Sequence, residues 1–329
     1  MQGRTWLSPD VWKIAGSAFF ADLGYQAVIA GFPLFLVLAL KAPVWAYGLA
    51  MAIAYGPGAL IGWWGGQVGD RRGHRGVAIF GNSFIPLLSL IGVATTPALA
   101  IALIAGGWWA RNFRTPSRRV LLVHRVPDPK GQQAAFGFLH ALDVGGGMLA
   151  GLGTVALLAA HVSLANIFLL TLVPLALSTL LLVVLGPEPA SAVSASQARL
   201  SNAPAPPPDV RFRRLMWAAG LYGFSSYNLG FPILTMAQNT HSSPLGVVSY
   251  VVFLGVSAVT GWAYGMRARG RISELAGWGY GGAALGSAAL AVAASQHAGF
   301  WGLILPVAVL GFSLGVIETA EPWLVAQWT

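Results

Sequence analysis

Apolar residues run along this chain in long blocks rather than in the alternation of a half-buried strand or the narrow stripe of a surface helix. Ten runs stand out, at 13–40, 45–68, 77–95, 98–120, 136–160, 164–186, 215–236, 244–266, 274–295 and 299–324. Each supplies the roughly 20 residues an α-helix needs to cross a hydrocarbon core. The pattern therefore predicts an all-α, polytopic membrane protein.

The pattern breaks after the sixth run, at GPEPASAVSASQARLSNAPAPPPDVRFRR. Rich in Pro, Ala and Ser, this stretch lacks the apolar area to fold and reads as an extended linker. The expected division is a six-helix bundle over 1–186, a linker over 187–214 and a four-helix bundle over 215–329. The two halves repeat. At an offset of 199, Gly24, Gly31, Phe32 and Pro33 fall on Gly223, Gly230, Phe231 and Pro232, and Gly56, Ala59, Gly62, Trp63 and Gly66 fall on Gly255, Ala258, Gly261, Trp262 and Gly265. Parallel repeats of helical bundles are a signature of transporters that rock around a midplane site; a duplication that only enlarges a scaffold is the alternative.

Composition agrees with a bilayer. The 329 residues are 56% hydrophobic and 9% charged, with mean hydropathy +0.68, so a polar surface cannot cover them. A net charge of +9 would suggest nucleic acid in a soluble protein. Here the basic residues gather in alternate loops, as the positive-inside rule requires: Arg71, Arg72 and Arg75 after the second run, Arg118, Arg119, Arg125 and Lys130 after the fourth, Arg211, Arg213 and Arg214 before the seventh, and Arg267, Arg269 and Arg271 after the eighth. Only Lys41 is left outside, so the amino terminus is expected in the cytoplasm. Asp22 interrupts the first run and no small-x-small site follows, which argues against a cleaved signal peptide.

Chemistry-bearing residues inside the runs are few, and each is a candidate because ionisable groups in a membrane are expensive. Asp22 and Gln26 are four apart and share a helix face, and the matching seventh run offers Tyr222, Ser225, Tyr227 and Asn228. The fifth run carries His140 and Asp143; the fourth carries Arg111, Arg114 and Arg118, and its counterpart, the tenth, carries Glu318 and Glu321. Arg111 and Arg114 facing Glu318 and Glu321 would form a gate between the bundles at the cytoplasmic mouth, with Asp70 bracing Arg114 or Arg118. With no cysteine, thiolate metal sites and disulfides are excluded. No nucleotide loop, HExxH, GxSxG or metal cluster is present, so no cofactor or metal is expected, and neither an ATP-driven pump nor a common hydrolase is supported.

One charged turn remains, Gly66-Gln-Val-Gly-Asp-Arg-Arg-Gly-His-Arg75. Glycines permit a tight turn and close helix approach, and an aspartate at a helix end can pair with arginines. Generic positive charge would account for the arginines but not for Asp70 or the glycines. In letters and position the turn resembles the loop between the second and third helices of the major facilitator superfamily. The match covers Gly66, Asp70, Arg71, Gly73 and Arg75, with His74 where a second Arg or Lys is common. FFADLGYQ, RNFRTPSRRVLL and AFGFLHALD resemble stretches in bacterial members of that family, and DVGGGMLAGLG is similar to the antiporter motif of its fifth helix without the proline. The resemblance implies two parallel six-helix bundles, a conformational switch in the charged turn, and a place in a cell membrane, that of a bacterial inner membrane. Against the family's twelve helices this chain shows ten runs, and its second-half loop GMRARGR lacks the aspartate.

The expected function is secondary active transport of a small solute by alternating access, driven by a gradient, with proton coupling through Asp22 or Asp143 as one route. The alternative is a transport-inactive scaffold or sensor on the same fold, with a polytopic membrane enzyme a distant third.

Overall fold

The computed structural model describes residues 6–126, 129–188, 210–225, 228–267 and 272–328. Most of the linker, together with Tyr227 and the side chains of His140 and Ser225, lies outside them. Every described element is helical, and the chain forms two compact units, Met1–Ala203 and Pro204–Thr329.

In the first unit α1 spans Pro9–Leu34, started by Ser8, whose hydroxyl accepts from the Val11 amide at 3.3 Å. Pro33 has no N–H to give its own turn, and the helix passes directly into a π-wound turn over Phe35–Ala39. Apolar on all sides, α1 is the buried centre of the unit: Val11, Ile14, Ala18, Tyr25, Val28 and Phe32 are all enclosed. Around it run α2 (Val44–Arg72), α3 (His74–Phe84, continuing as a 3₁₀ helix to Val93), α4 (Pro97–Arg125) and α5 (Pro129–Ala159). The sixth run is split into α6 (Leu164–Leu170) and α7 (Leu172–Val183), because Pro174 cannot donate to the Leu170 carbonyl.

Glycines let these helices touch. Gly65 faces the Phe113 carbonyl, seating α2 on α4, and Gly146 faces the Phe19 carbonyl, seating α5 on α1; either contact leaves no room for a Cβ. Meanwhile Leu60, Trp63, Trp64, Phe80 and Leu180 stand more than half exposed on the outside. Apolar side chains outside glycine-mediated helix contacts are what a bilayer solvent selects.

The second unit contains α8 (Val210–Ser225), α9 (Gly230–Thr240), α10 (Ser243–Arg267), α11 (Ile272–Glu274, leading into a π-wound stretch Leu275–Gly281), α12 (Gly282–Ser295) and α13 (Phe300–Trp328). The repeat extends to its contacts. A methyl on Gly62 of α2 would stand 3.4 Å from the Asn112 carbonyl oxygen of α4, and one on Gly261 of α10 would stand 3.5 Å from that of Gly315 in α13. Gly81 meets the Ala110 carbonyl as Gly282 meets the Ser313 hydroxyl.

Helix thus falls on all ten expected runs. Seven of the described helical segments are long and apolar enough to span a membrane by themselves. The fourth run falls short because α4 carries its arginines, the seventh because it is divided between α8 and α9, and the ninth because its glycines, Trp278 and Tyr280 lower its mean hydropathy.

Candidate functional site

Arg111, Arg114 and Arg118 recur at i, i+3 and i+7 on α4 and so lie along one face. That face turns into the first unit, and each guanidinium meets a different helix. Arg111 donates to the Tyr25 hydroxyl at 3.4 Å and lies 5.2 Å from the Tyr25 ring centre and 4.7 Å from that of Trp108, a pair of cation–π contacts. Tyr25 in turn donates to Asp22 Oδ1 at 2.5 Å. Asp22 is buried, and its other oxygen, Oδ2, has no hydrogen-bond partner among the described residues. Gln26, one turn on, lies against α5, where a methyl on Gly147 would stand 3.4 Å from its Cγ.

Arg114 is wholly enclosed. Its Nη1 donates to Asn82 Oδ1 on α3 at 2.5 Å. The Asn82 amide donates to Thr179 Oγ1 at 2.8 Å and Ser178 Oγ at 3.2 Å on α7, and Ser178 donates to the Ser17 carbonyl of α1 at 2.7 Å. One polar spine therefore crosses four helices. Arg118 reaches the fourth neighbour, α5, donating to Asp143 at 3.3 and 3.4 Å. The expected brace from Asp70 to Arg114 or Arg118 is replaced by these contacts: a carboxylate in the last turn of α2 is out-competed by acceptors already inside the unit.

Asp70 instead sits 3.4 Å from His74 Nε2, while His74 Nδ1 lies 3.3 Å from the Ser117 hydroxyl of α4. The turn itself closes at Gly73, whose φ of +91° an L side chain rarely adopts. Gly66 packs against Pro116, and Arg71 is exposed. Arg75 grips the end of α7: Nε donates to the Leu185 carbonyl at 2.8 Å and Nη2 to that of Val183 at 2.6 Å, satisfying carbonyls that have no partner within their own helix. Its backbone N–H donates to Glu188 Oε1 at 2.5 Å, and Glu188 Oε2 lies 3.5 Å from His124. The charged turn is thus fastened to the first residues of the linker.

In the second unit the counterparts carry less charge. Tyr222 stacks near Tyr280, with ring centres 5.1 Å apart, and Asn228 Oδ1 accepts from the Gly230 amide at 3.1 Å at the start of α9. Glu321 accepts from the Tyr280 hydroxyl at 2.5 Å, and Glu318 is exposed on its own unit. Among the described residues no three His, Asp or Glu side chains are placed to hold a metal ion.

Sequence reasoning passed over Tyr25, Asn82, Ser178 and Glu188. Asn82 carried a usable signal, an amide in mid-run that lipid would penalise. Glu188 carried none, since it opens a stretch that reads as linker.

No curated protein matches the sequence. Solved structures do match in fold. The D-xylose-proton symporter shares 14% identity with a TM-score of 0.61, covering 97% of this chain and 87% of that one. The nucleoside transporter NupG shares 13% with a TM-score of 0.65, covering 97% and 83%. A bacterial homolog of the human lysosomal transporter Spinster shares 16% with a TM-score of 0.60, covering 94% and 72%. A family profile matches almost from end to end, over residues 14–326, and with it the chain belongs to the Major Facilitator Superfamily, as a multi-pass membrane transporter and not an enzyme.

Proposed function

We propose that the protein moves a small solute by alternating access and that the charged interior of its first unit couples this movement to a proton gradient. The observation that carries the reading is Asp22, a buried carboxylate with one oxygen unpartnered, tied through Tyr25 to Arg111. Protonation of Asp22 removes the negative charge that draws Tyr25 and Arg111 together and frees the guanidinium for another partner. Such a change biases a conformational population rather than locking it; about 1.4 kcal/mol shifts it tenfold. Arg118 with Asp143 offers a second carboxylate on the same ladder, and Gln26, Tyr222 and Asn228 are candidate contacts along the pathway.

Glu318 and Glu321 are proposed as the second unit's side of a cytoplasmic gate. Arg114 and Arg118 are both buried, against Asn82 and Asp143, which favours Arg111 as the opposing arm. The charged turn, Gly66 to Arg75, holds one conformation through its grip on α7 and Glu188. The placement that accompanies this reading is a bacterial inner membrane with the amino terminus in the cytoplasm.

The test uses proteoliposomes with an imposed pH gradient and a panel of sugars, nucleosides and organic acids. Wild type is expected to accumulate at least one solute only with the gradient. Asp22→Asn, which removes charge with little change in volume, is expected to abolish gradient-driven accumulation while the purified protein remains folded. An Asn variant that still accumulates solute with the gradient would refute coupling at this carboxylate. A wild type that moves nothing across the panel would favour the scaffold reading.

A further inference from the structure

The cations along α4 outnumber the carboxylates beside them. Arg111, Arg114 and Arg118 share the interior of the first unit with Asp22 and Asp143, and of these two Asp143 makes the one direct ion pair, with Arg118 at 3.3 Å. Asp22 accepts from the Tyr25 hydroxyl instead. Arg114 has no carboxylate within ion-pair distance among the described residues, and its Nη1 meets only the neutral Asn82 amide oxygen. An arginine cannot release its proton to relieve a positive excess, and an unbalanced charge held away from water is costly.

Unmet donors lie on the same side chains. Arg114 Nε and Nη2, which share one edge of the guanidinium plane, and Arg118 Nε and Nη1 are buried without a hydrogen-bond partner among the described residues. The two arginines are four apart on α4, so these nitrogens stand one helical turn from each other. Enclosure decides what can accept from them. Arg114 is 0% exposed and the Arg118 side chain 5%, so a lipid phosphate or a solute with a carbon skeleton has no open path to either. Water is small enough, but it is uncharged and leaves the excess in place. A monatomic anion cancels the charge and, being spherical, accepts N–H groups from several directions.

We infer that Arg114 and Arg118 together hold a chloride ion inside the first unit, a fixed counter-ion that is present whether or not Asp22 couples transport to protons. The charges of the two neighbouring acceptors then set its affinity. Asn82→Asp places a carboxylate where Arg114 already donates, and the Ser178 and Thr179 hydroxyls that now accept from Asn82 can turn to donate to it. That variant carries its own anion. Asp143→Asn does the reverse, since it takes the paired charge from Arg118 and enlarges the positive excess.

The experiment dialyses full-length protein in a neutral detergent against sodium gluconate, then measures equilibrium uptake of radiolabelled chloride, and Tm in sodium chloride, bromide or gluconate at equal ionic strength. Wild type should retain a single chloride per chain and unfold higher in chloride or bromide than in gluconate, by roughly 5–10 °C at a hundredfold excess over Kd. Asp143→Asn should bind chloride at least roughly tenfold more tightly. Asn82→Asp and, separately, Arg114→Met should lose both the bound ion and the difference between salts, with helicity and elution volume unchanged. A folded wild type that retains no chloride and unfolds at the same temperature in all three salts would mean that water meets these donors, and would overturn the site. Chloride retained undiminished by a folded Asn82→Asp or Arg114→Met protein would overturn its assignment to Arg114, and unchanged affinity in Asp143→Asn would remove Arg118 from it.

Discussion

Replacing Asn82 by leucine isolates the most exposed weakness of the first unit. Asn82 supplies the acceptor for the wholly buried Arg114 guanidinium. Its other partners do not depend on it: Ser178 also donates to the Ser17 carbonyl at 2.7 Å, and Thr179 to the Leu175 carbonyl at 3.1 Å. The cost therefore falls on one group. Losing a hydrogen bond to a charged group costs about 1.5–3 kcal/mol, and stranding a buried charge raises this to about 3–5 kcal/mol. Arg114→Met removes the charge with its demand and should cost less, and the double variant Asn82→Leu with Arg114→Met should be more stable than Asn82→Leu alone. For a unit of this size, 3–5 kcal/mol corresponds to a fall in Tm of roughly 6–20 °C. Thermal unfolding of the purified protein, followed by tryptophan fluorescence at one detergent concentration, measures all four members of the cycle. If the two single losses simply add in the double variant, Arg114 and Asn82 are not energetically coupled and the polar spine does not hold the unit as described.

Two further outcomes bear on topology and on the gate. Because native cysteine is absent, single cysteines at Gly73 and Ser242 can be labelled selectively: Gly73→Cys is expected to react only from the cytoplasmic side and Ser242→Cys only from outside, and external labelling at Gly73→Cys would reverse the orientation. Arg111→Glu is expected to impair transport, with partial recovery on adding Glu318→Arg or Glu321→Arg; failure of both double reversals would remove Arg111 from a gate with these carboxylates.

The membrane character, the all-helical class and the internal repeat were legible in the sequence because each rests on local quantities. Lipid demands an apolar segment of fixed length, and repeated glycines keep their spacing. The charged turn was legible for the same reason, since its glycines and charges lie within ten consecutive residues. Partners were not legible. Helical spacing placed Arg111, Arg114 and Arg118 on one face, yet whether that face met Asp70, Asp143, Asn82 or Tyr25 depended on which helices pack beside α4, and buried charges take the acceptors that packing brings to them. Glu188 illustrates the limit: within a proline-rich stretch it has no pattern of its own, and it acquires a place only because α3 and α4 bring Arg75 and His124 to the end of α7.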